Sequence, residues 1–83
     1  MKYKTNAAVR EIMKQQGIGV NALASMMGKD ANGKDVPSRR ISERLSQDNI
    51  SIKVLDQMLR VLRYKIVLLP RDAEVPSNGF EIE

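Results

Sequence analysis

The chain has 83 residues, about half of a usual ~150-residue domain, so its length predicts one domain around one core. With 42% apolar and 29% charged residues it has the composition of an ordinary soluble globular protein, and at this size only roughly 60% of the unfolded surface is buried, which makes a partner subunit a natural source of further stability. It contains no cysteine and no histidine, which excludes disulfides, thiolate zinc sites and thiol nucleophiles and removes the commonest general base. An enzyme would have to work with carboxylates, Lys, Tyr or Ser alone, and no convincing acid/base or metal-binding pair of carboxylates is visible. The sequence therefore reads as non-enzymatic, with no metal and no cofactor. Its longest apolar run, Ile66 to Leu69, is too short for a transmembrane helix or a signal-peptide core, so the expected location is cytoplasmic.

The charge is unevenly placed. Residues 1–70 carry 13 basic against 6 acidic side chains, a net of +7. Residues 71–83 carry Arg71 against Asp72, Glu74, Glu81 and Glu83, a net of −3. A basic small domain attracts nucleic acid or an anionic surface, although such an excess by itself can equally be a solvated surface.

From Thr5 to Gln16, Ala8, Val9, Ile12 and Met13 recur at helical spacing, with Thr5 or Asn6 as the expected N-cap and Gly17 as the stop. After Gly17-Ile18-Gly19, residues Val20, Leu23, Ala24 and Met27 line one face of a second, two-turn helix that ends at Gly28. Lys29 to Asp35 contains the turn-forming pair Asn32-Gly33 and no large apolar anchor, and reads as an exposed loop. Pro37 and Ser38 open a third helix with Ile41 and Leu45 inward, closed by Asp48-Asn49. Ser51 is the expected N-cap of a fourth helix from Ile52 to about Leu62, with Ile50 stapled onto Leu55. Its apolar residues cover more than one face, which makes it the central core helix. Tyr64 to Leu69, rich in β-branched and aromatic residues and stopped by Pro70, reads as a strand. Residues 71–83 read as an acidic, flexible tail beyond a folded unit of residues 1–70.

The pattern Asn21-Ala22-Leu23-Ala24-Ser25-Met26-Met27-Gly28, followed by Ile41-Ser42-Glu43-Arg44-Leu45 and then Leu62-Arg63-Tyr64-Lys65-Ile66-Val67-Leu68-Leu69-Pro70, resembles the lambda-repressor-like helix-turn-helix family of phage and bacterial regulators. The resemblance spans roughly Val9 to Pro70. It implies an all-α bundle of about four helices with one short C-terminal β-strand used for dimerisation. Ile41 follows Gly28 by 13 residues (41 − 28), so Lys29–Asp35 is an insertion in what is a short turn elsewhere in the family. Val20 stands where relatives carry a polar residue, and Arg63 where they often carry Gly.

The same resemblance implies the function: a sequence-specific double-stranded DNA-binding transcriptional regulator, a repressor in the first instance, acting as a homodimer on an inverted repeat. Ser38, Arg39, Ser42 and Glu43 take the positions the family uses for base readout. Arg39 is suited to guanine O6 and N7, and Glu43 to cytosine N4 or to orienting Arg39. Ser38 is also a possible N-cap. Asn21, Lys29, Lys34, Arg40, Arg44 and Lys53 are placed for phosphate contact. Lys65, Val67 and Leu69 form the strand face expected at the dimer interface, with Tyr64, Ile66 and Leu68 on the protein's own helices. Two rival functions share this fold, an antitoxin of a toxin-antitoxin pair and a protein-interaction module without DNA binding. Met13, Met26, Met27 and Met58 read as core filling.

Overall fold

The computed structural model describes residues 2–83. In chain order these form a short strand β1 (Lys2–Tyr3), helices α1 (Thr5–Gln16), α2 (Val20–Met27), α3 (Ser38–Leu45) and α4 (Ile52–Val61), and a second short strand β2 (Glu81–Ile82). Each helix is amphipathic in the manner its spacing requires, and the inward residues meet in one core. Val9 and Ile12 from α1, Leu23 from α2, Ile41 and Leu45 from α3, and Met58 with Leu62 from α4 and its exit are almost wholly removed from solvent. Burial at about 25 cal/mol per Å² of apolar surface is what holds four helices of 8 to 12 residues that would be marginal alone. Helix α2 packs on both α3 and α4, while α1 packs on α3 and α4 from the other side. Ile50 and Leu55 both reach the core, as the staple requires. Met13 and Met58 are core residues, whereas Met26 is exposed.

The helix ends are set by hydrogen bonds rather than by propensity alone. Helix α1 stops at Gly17, whose φ of 68° lets Ile18 N–H reach the Met13 carbonyl at 2.9 Å. Helix α4 ends in the same way on Arg63, with φ 67°, where Tyr64 N–H reaches the Leu59 carbonyl at 2.8 Å and Arg63 N–H reaches that of Arg60 at 3.1 Å. This is a Schellman closure on a residue with a Cβ, so part of its stabilisation is offset by local strain on the order of 1 kcal/mol.

The start of α1 departs from expectation. Its cap position is Lys4, whose ammonium has no acceptor to offer and makes no side-chain cap bond, while Thr5 and Asn6 reach across the fold. Thr5 Oγ1 donates to the Asp48 carbonyl and accepts from Ile50 N–H, each at 2.8 Å. Asn6 Nδ2 and Arg10 Nη2 both donate to the Leu45 carbonyl, at 3.0 and 3.1 Å. Gln16 Nε2 donates to the Leu62 carbonyl at 2.8 Å. One face of α1 thus satisfies carbonyls left open at the ends of α3 and α4. Helix α3 ends at Leu45 with Ser46 as its cap, ahead of the expected Asp48-Asn49. Pro37 takes the N-cap position and Ser38 the first helical one. Ser51 does stand at the N-cap of α4, but without a side-chain cap bond.

Two larger expectations need correction. Tyr64 to Leu69 is not a strand, since the only ladder among the described residues joins β1 to β2 in parallel, Lys2 opposite Glu81 and Tyr3 opposite Ile82. A strand needs a neighbour for its backbone groups, and none pairs with residues 64–69 among the described residues. Their expected inside–outside alternation is also missing, because Leu68, expected inward, is 91% exposed. The acidic tail, expected to be flexible, instead folds back. Phe80 lies edge-on to Tyr3 and Tyr64, with centroids 5.1 and 6.0 Å apart. Glu83 N–H donates to the Tyr3 carbonyl at 2.8 Å. Lys2 pairs with Glu81 and Lys4 with Glu83. The segment from Tyr64 to Glu83 is thus a closed arm over α1 and α4.

Candidate nucleic-acid interface

Helix α3 has only two large apolar residues, Ile41 and Leu45, and both are buried. A two-residue anchor leaves the rest of an eight-residue helix free, and Arg39, Arg40, Ser42, Glu43 and Arg44 all remain exposed. The Arg39 side chain is 88% exposed, with Nε 3.7 Å from Glu43 Oε1 one turn further on. Such a pair in water contributes little to stability. It does hold a guanidinium and a carboxylate side by side on the outermost surface of the helix. Of the four residues expected to read bases, Arg39, Ser42 and Glu43 lie outward, while Ser38 is half-buried.

The residues expected at phosphates fall into two groups. Lys29, Arg40 and Arg44 are brought together, lining a cleft of about 520 Å³ between residues 29–36, α3 and α4. Asn21 in the first turn of α2, Lys53 in the first turn of α4, and Lys34 are exposed and do not line that cleft.

Lys29–Asp35, expected as a plain loop, is a miniature hairpin closed by an antiparallel bridge between its end residues. Asp30 organises it. Its Oδ1 accepts from Asn32 N–H at 2.9 Å and from Lys34 N–H at 3.0 Å, and its own N–H donates to the Lys34 carbonyl at 2.7 Å. Gly33 takes the left-handed conformation that the turn needs, with φ 76°. The remaining carboxylate oxygen, Oδ2, accepts from Arg40 Nη1 at 3.5 Å, which ties the hairpin to α3. The Lys34 N–H bond is the main reason that the Asp30 carboxyl is held below its ordinary pKa; desolvation opposes the shift, and the Asn32 N–H bond and Arg40 add to it. Lys29 Nζ meets Asp35 Oδ1 at 2.6 Å, leaving Lys34 as the hairpin's one lysine outside an ion pair among the described residues.

Neither the Asp30 network nor the side-chain clamp from α1 was part of the sequence expectation. The first has a local signature, an Asp two residues before Asn-Gly, which is the pattern of a side-chain-capped turn. The second has none, since Asn6 and Leu45 are 39 residues apart.

The residues expected at a dimer interface, Lys65, Val67 and Leu69, lie in the arm. Val67 and Leu69 are 58% and 48% exposed. All three border an apolar cavity of about 590 Å³ whose floor includes Ala8, Ile12, Leu55 and Leu59. Among the described residues, six of the eight exposed large apolar side chains, Ile66, Val67, Leu68, Leu69, Val75 and Ile82, belong to this arm. No helix among the described residues is long and apolar enough to cross a membrane. Comparison with protein-family models, with curated proteins and with solved structures finds no match.

Proposed function

We propose that the protein is a sequence-specific double-stranded DNA-binding transcriptional regulator of the helix-turn-helix kind, acting as a homodimer. The observation that carries this reading is the outer surface of α3. That surface sets an Arg39 guanidinium, exposed over 88% of its side chain, beside Glu43 and Ser42 on a helix anchored only from behind. An α-helix about 10–12 Å across with its side chains fits a major groove about 12 Å wide. In this reading Arg39 bonds bidentately to a guanine, Ser42 and Glu43 read its neighbours, and Asn21, Lys34, Lys53, Arg40 and Arg44 hold phosphates. The clamp of Thr5, Asn6 and Arg10 on the end of α3 and the loop behind it fixes the helix against the bundle, as a reading helix requires. The mechanism is occupancy of an operator, without chemistry.

The dimer is proposed from the arm. Its exposed apolar side chains and the backbone of residues 65–69, which makes no backbone hydrogen bond among the described residues, gain most from a second copy about a two-fold axis, antiparallel to the first. Selection of bound sites from random duplex DNA, followed by salt titration of the winning sequence, tests the whole reading. An inverted repeat, with affinity falling linearly on a double-logarithmic salt plot, is expected. Enrichment of no sequence would overturn it.

A further inference from the structure

The cleft between the hairpin, α3 and α4 has a property that the DNA reading does not use. Its floor is apolar, with Met27, Val36, Val54 and Val61 each half-buried at the fringe of the core. Its rim is cationic. Lys29, Arg40, Arg44 and Arg60 line it against Asp30 alone, a net of +3 among the lining residues. The carboxylates of Asp35 and Asp56 lie outside the lining but pair with Lys29 at 2.6 Å and Arg60 at 2.8 Å and offset those two charges. Both Asp30 oxygens are already engaged. Arg44 has no acidic partner among the described residues.

The insertion builds this site. Lys29, Asp30, Ala31 and Asn32 form one wall, and Val36, just beyond, part of the floor. The Asp30 network and the Asp30–Arg40 pair hold that wall against α3. An exposed loop without such ties would leave α3 and α4 with an open surface rather than a cleft.

We propose that this cleft binds a small organic anion with an apolar body, its oxyanion head on Arg44 with Arg40 and Arg60 around it and its chain on Met27, Val36, Val54 and Val61. The charge complementarity selects the head, because guanidinium forks match carboxylate and phosphate oxygens alike. The apolar floor selects the body. A volume of about 520 Å³ is that of a small-molecule site, for which roughly 300–1,000 Å³ is usual. Arg40 and Arg44 are also phosphate contacts of the proposed DNA complex, so an anion in the cleft competes with DNA for them, while its binding in the absence of DNA needs no part of that reading.

The test titrates the full chain with decanoate, decyl phosphate and the neutral decanamide below their aggregation concentrations, following backbone amide shifts. The two anions are expected to move residues 29–36, 40–44 and 57–61, and whichever binds more tightly identifies the head group. Arg44→Ala is expected to weaken that binding about tenfold with circular dichroism unchanged, and Arg44→Lys to restore part of it. Decanamide binding as tightly as the anions, shifts confined to the arm cavity at residues 64–80, an affinity unchanged by Arg44→Ala, or no binding at all would each overturn the proposal.

Discussion

Arg39 and Arg40 are neighbours in the chain with different surroundings. Arg39 faces water beside Glu43, while Arg40, about half exposed, is held by Asp30. In the proposed complex Arg39, of these two, is the one free to meet a base edge without first leaving a partner on another element. Arg39→Ala is expected to weaken binding to the selected site by about 1–3 kcal/mol and to relax preference at one base pair. A base-selectivity profile identical to that of the wild type would remove Arg39 from the reading set. The two hairpin lysines also differ. Lys34→Ala is expected to lower the salt slope of DNA binding by about one, and Lys29→Ala by less, because Lys29 already has Asp35. Equal effects from the two substitutions would contradict this assignment.

Asp30 adds a pH dependence. Its carboxyl is held below its ordinary value in the folded hairpin, so its contribution is complete above the unfolded-state pKa and is lost as pH falls through the lower folded-state pKa. Above the carboxylate range the hairpin should be indifferent to pH. Below it, the Asn32 and Lys34 amides should lose protection from exchange while the amides of α1 and α4 keep theirs. Protection of Asn32 and Lys34 that persists in Asp30→Ala at neutral pH would show that the turn stands without the carboxylate.

At the scale of elements, the exit of α4 and the arm that follows it carry different expectations. The end at Arg63 adopts φ 67° with a Cβ present, so Arg63→Gly should relieve strain and stabilise the fold. The gain is expected near 1 kcal/mol, reduced somewhat by the greater unfolded-state freedom of glycine. A denaturant midpoint that moves upward at constant slope would show it, and one that moves downward would mean that the Arg63 side chain contributes more than its backbone strain removes. The arm has a single aromatic fastener. Phe80 joins Tyr3 to Tyr64 and stands behind the short β1–β2 ladder. Phe80→Ala should release residues 71–83 to fast exchange and cost about 1–3 kcal/mol, less than a fully buried Phe because Phe80 is half-buried. Retained protection at Glu83 N–H would show that the ladder and the two ion pairs suffice.

For the whole molecule the decisive question is what covers the arm. The chain extends 42 Å along its longest axis against 24 and 21 Å across, and most of its exposed large apolar side chains lie between Ile66 and Ile82. In the proposed dimer that surface is shared about a two-fold axis and the two copies of α3 enter successive major grooves about 34 Å apart. Val67→Asp replaces an exposed side chain, so the monomer should keep its helical circular dichroism while losing self-association and binding the full inverted repeat far more weakly. Sedimentation of the wild type as a monomer well above its DNA dissociation constant, with and without operator, would exclude the dimer.

The sequence by itself determined the four helices, with α1 and α2 bounded as expected, because each inward stripe repeats at helical spacing and glycines stand where α1 and α2 end. Val9, Ile12, Leu23, Ile41, Leu45 and Met58 were legible as core for the same reason, and so was the exposure of Arg39 and Glu43, since Ile41 and Leu45 already define the inner side of a short helix. The exit at Arg63 was marked only through the resemblance, as a place where Gly is often found, and its positive φ came from the structure. What only the tertiary structure decided depends on partners distant in the chain. Thr5 and Asn6 look like caps locally, and although Asn6 Oδ1 accepts from Ala7 N–H, Thr5 Oγ1 and Asn6 Nδ2 serve Asp48, Ile50 and Leu45, because these backbone groups at the end of α3 and in the loop after it lie beside them in space. Tyr64 to Leu69 has the composition of a strand but no neighbouring strand, and composition cannot supply the hydrogen-bonding partner on which a strand depends. The tail has the composition of a disordered segment, yet Phe80 finds Tyr3 and Tyr64, and Glu81 and Glu83 find Lys2 and Lys4. Those contacts join the two ends of the chain, and an attraction between residues nearly eighty positions apart becomes visible only once the helices between them have folded.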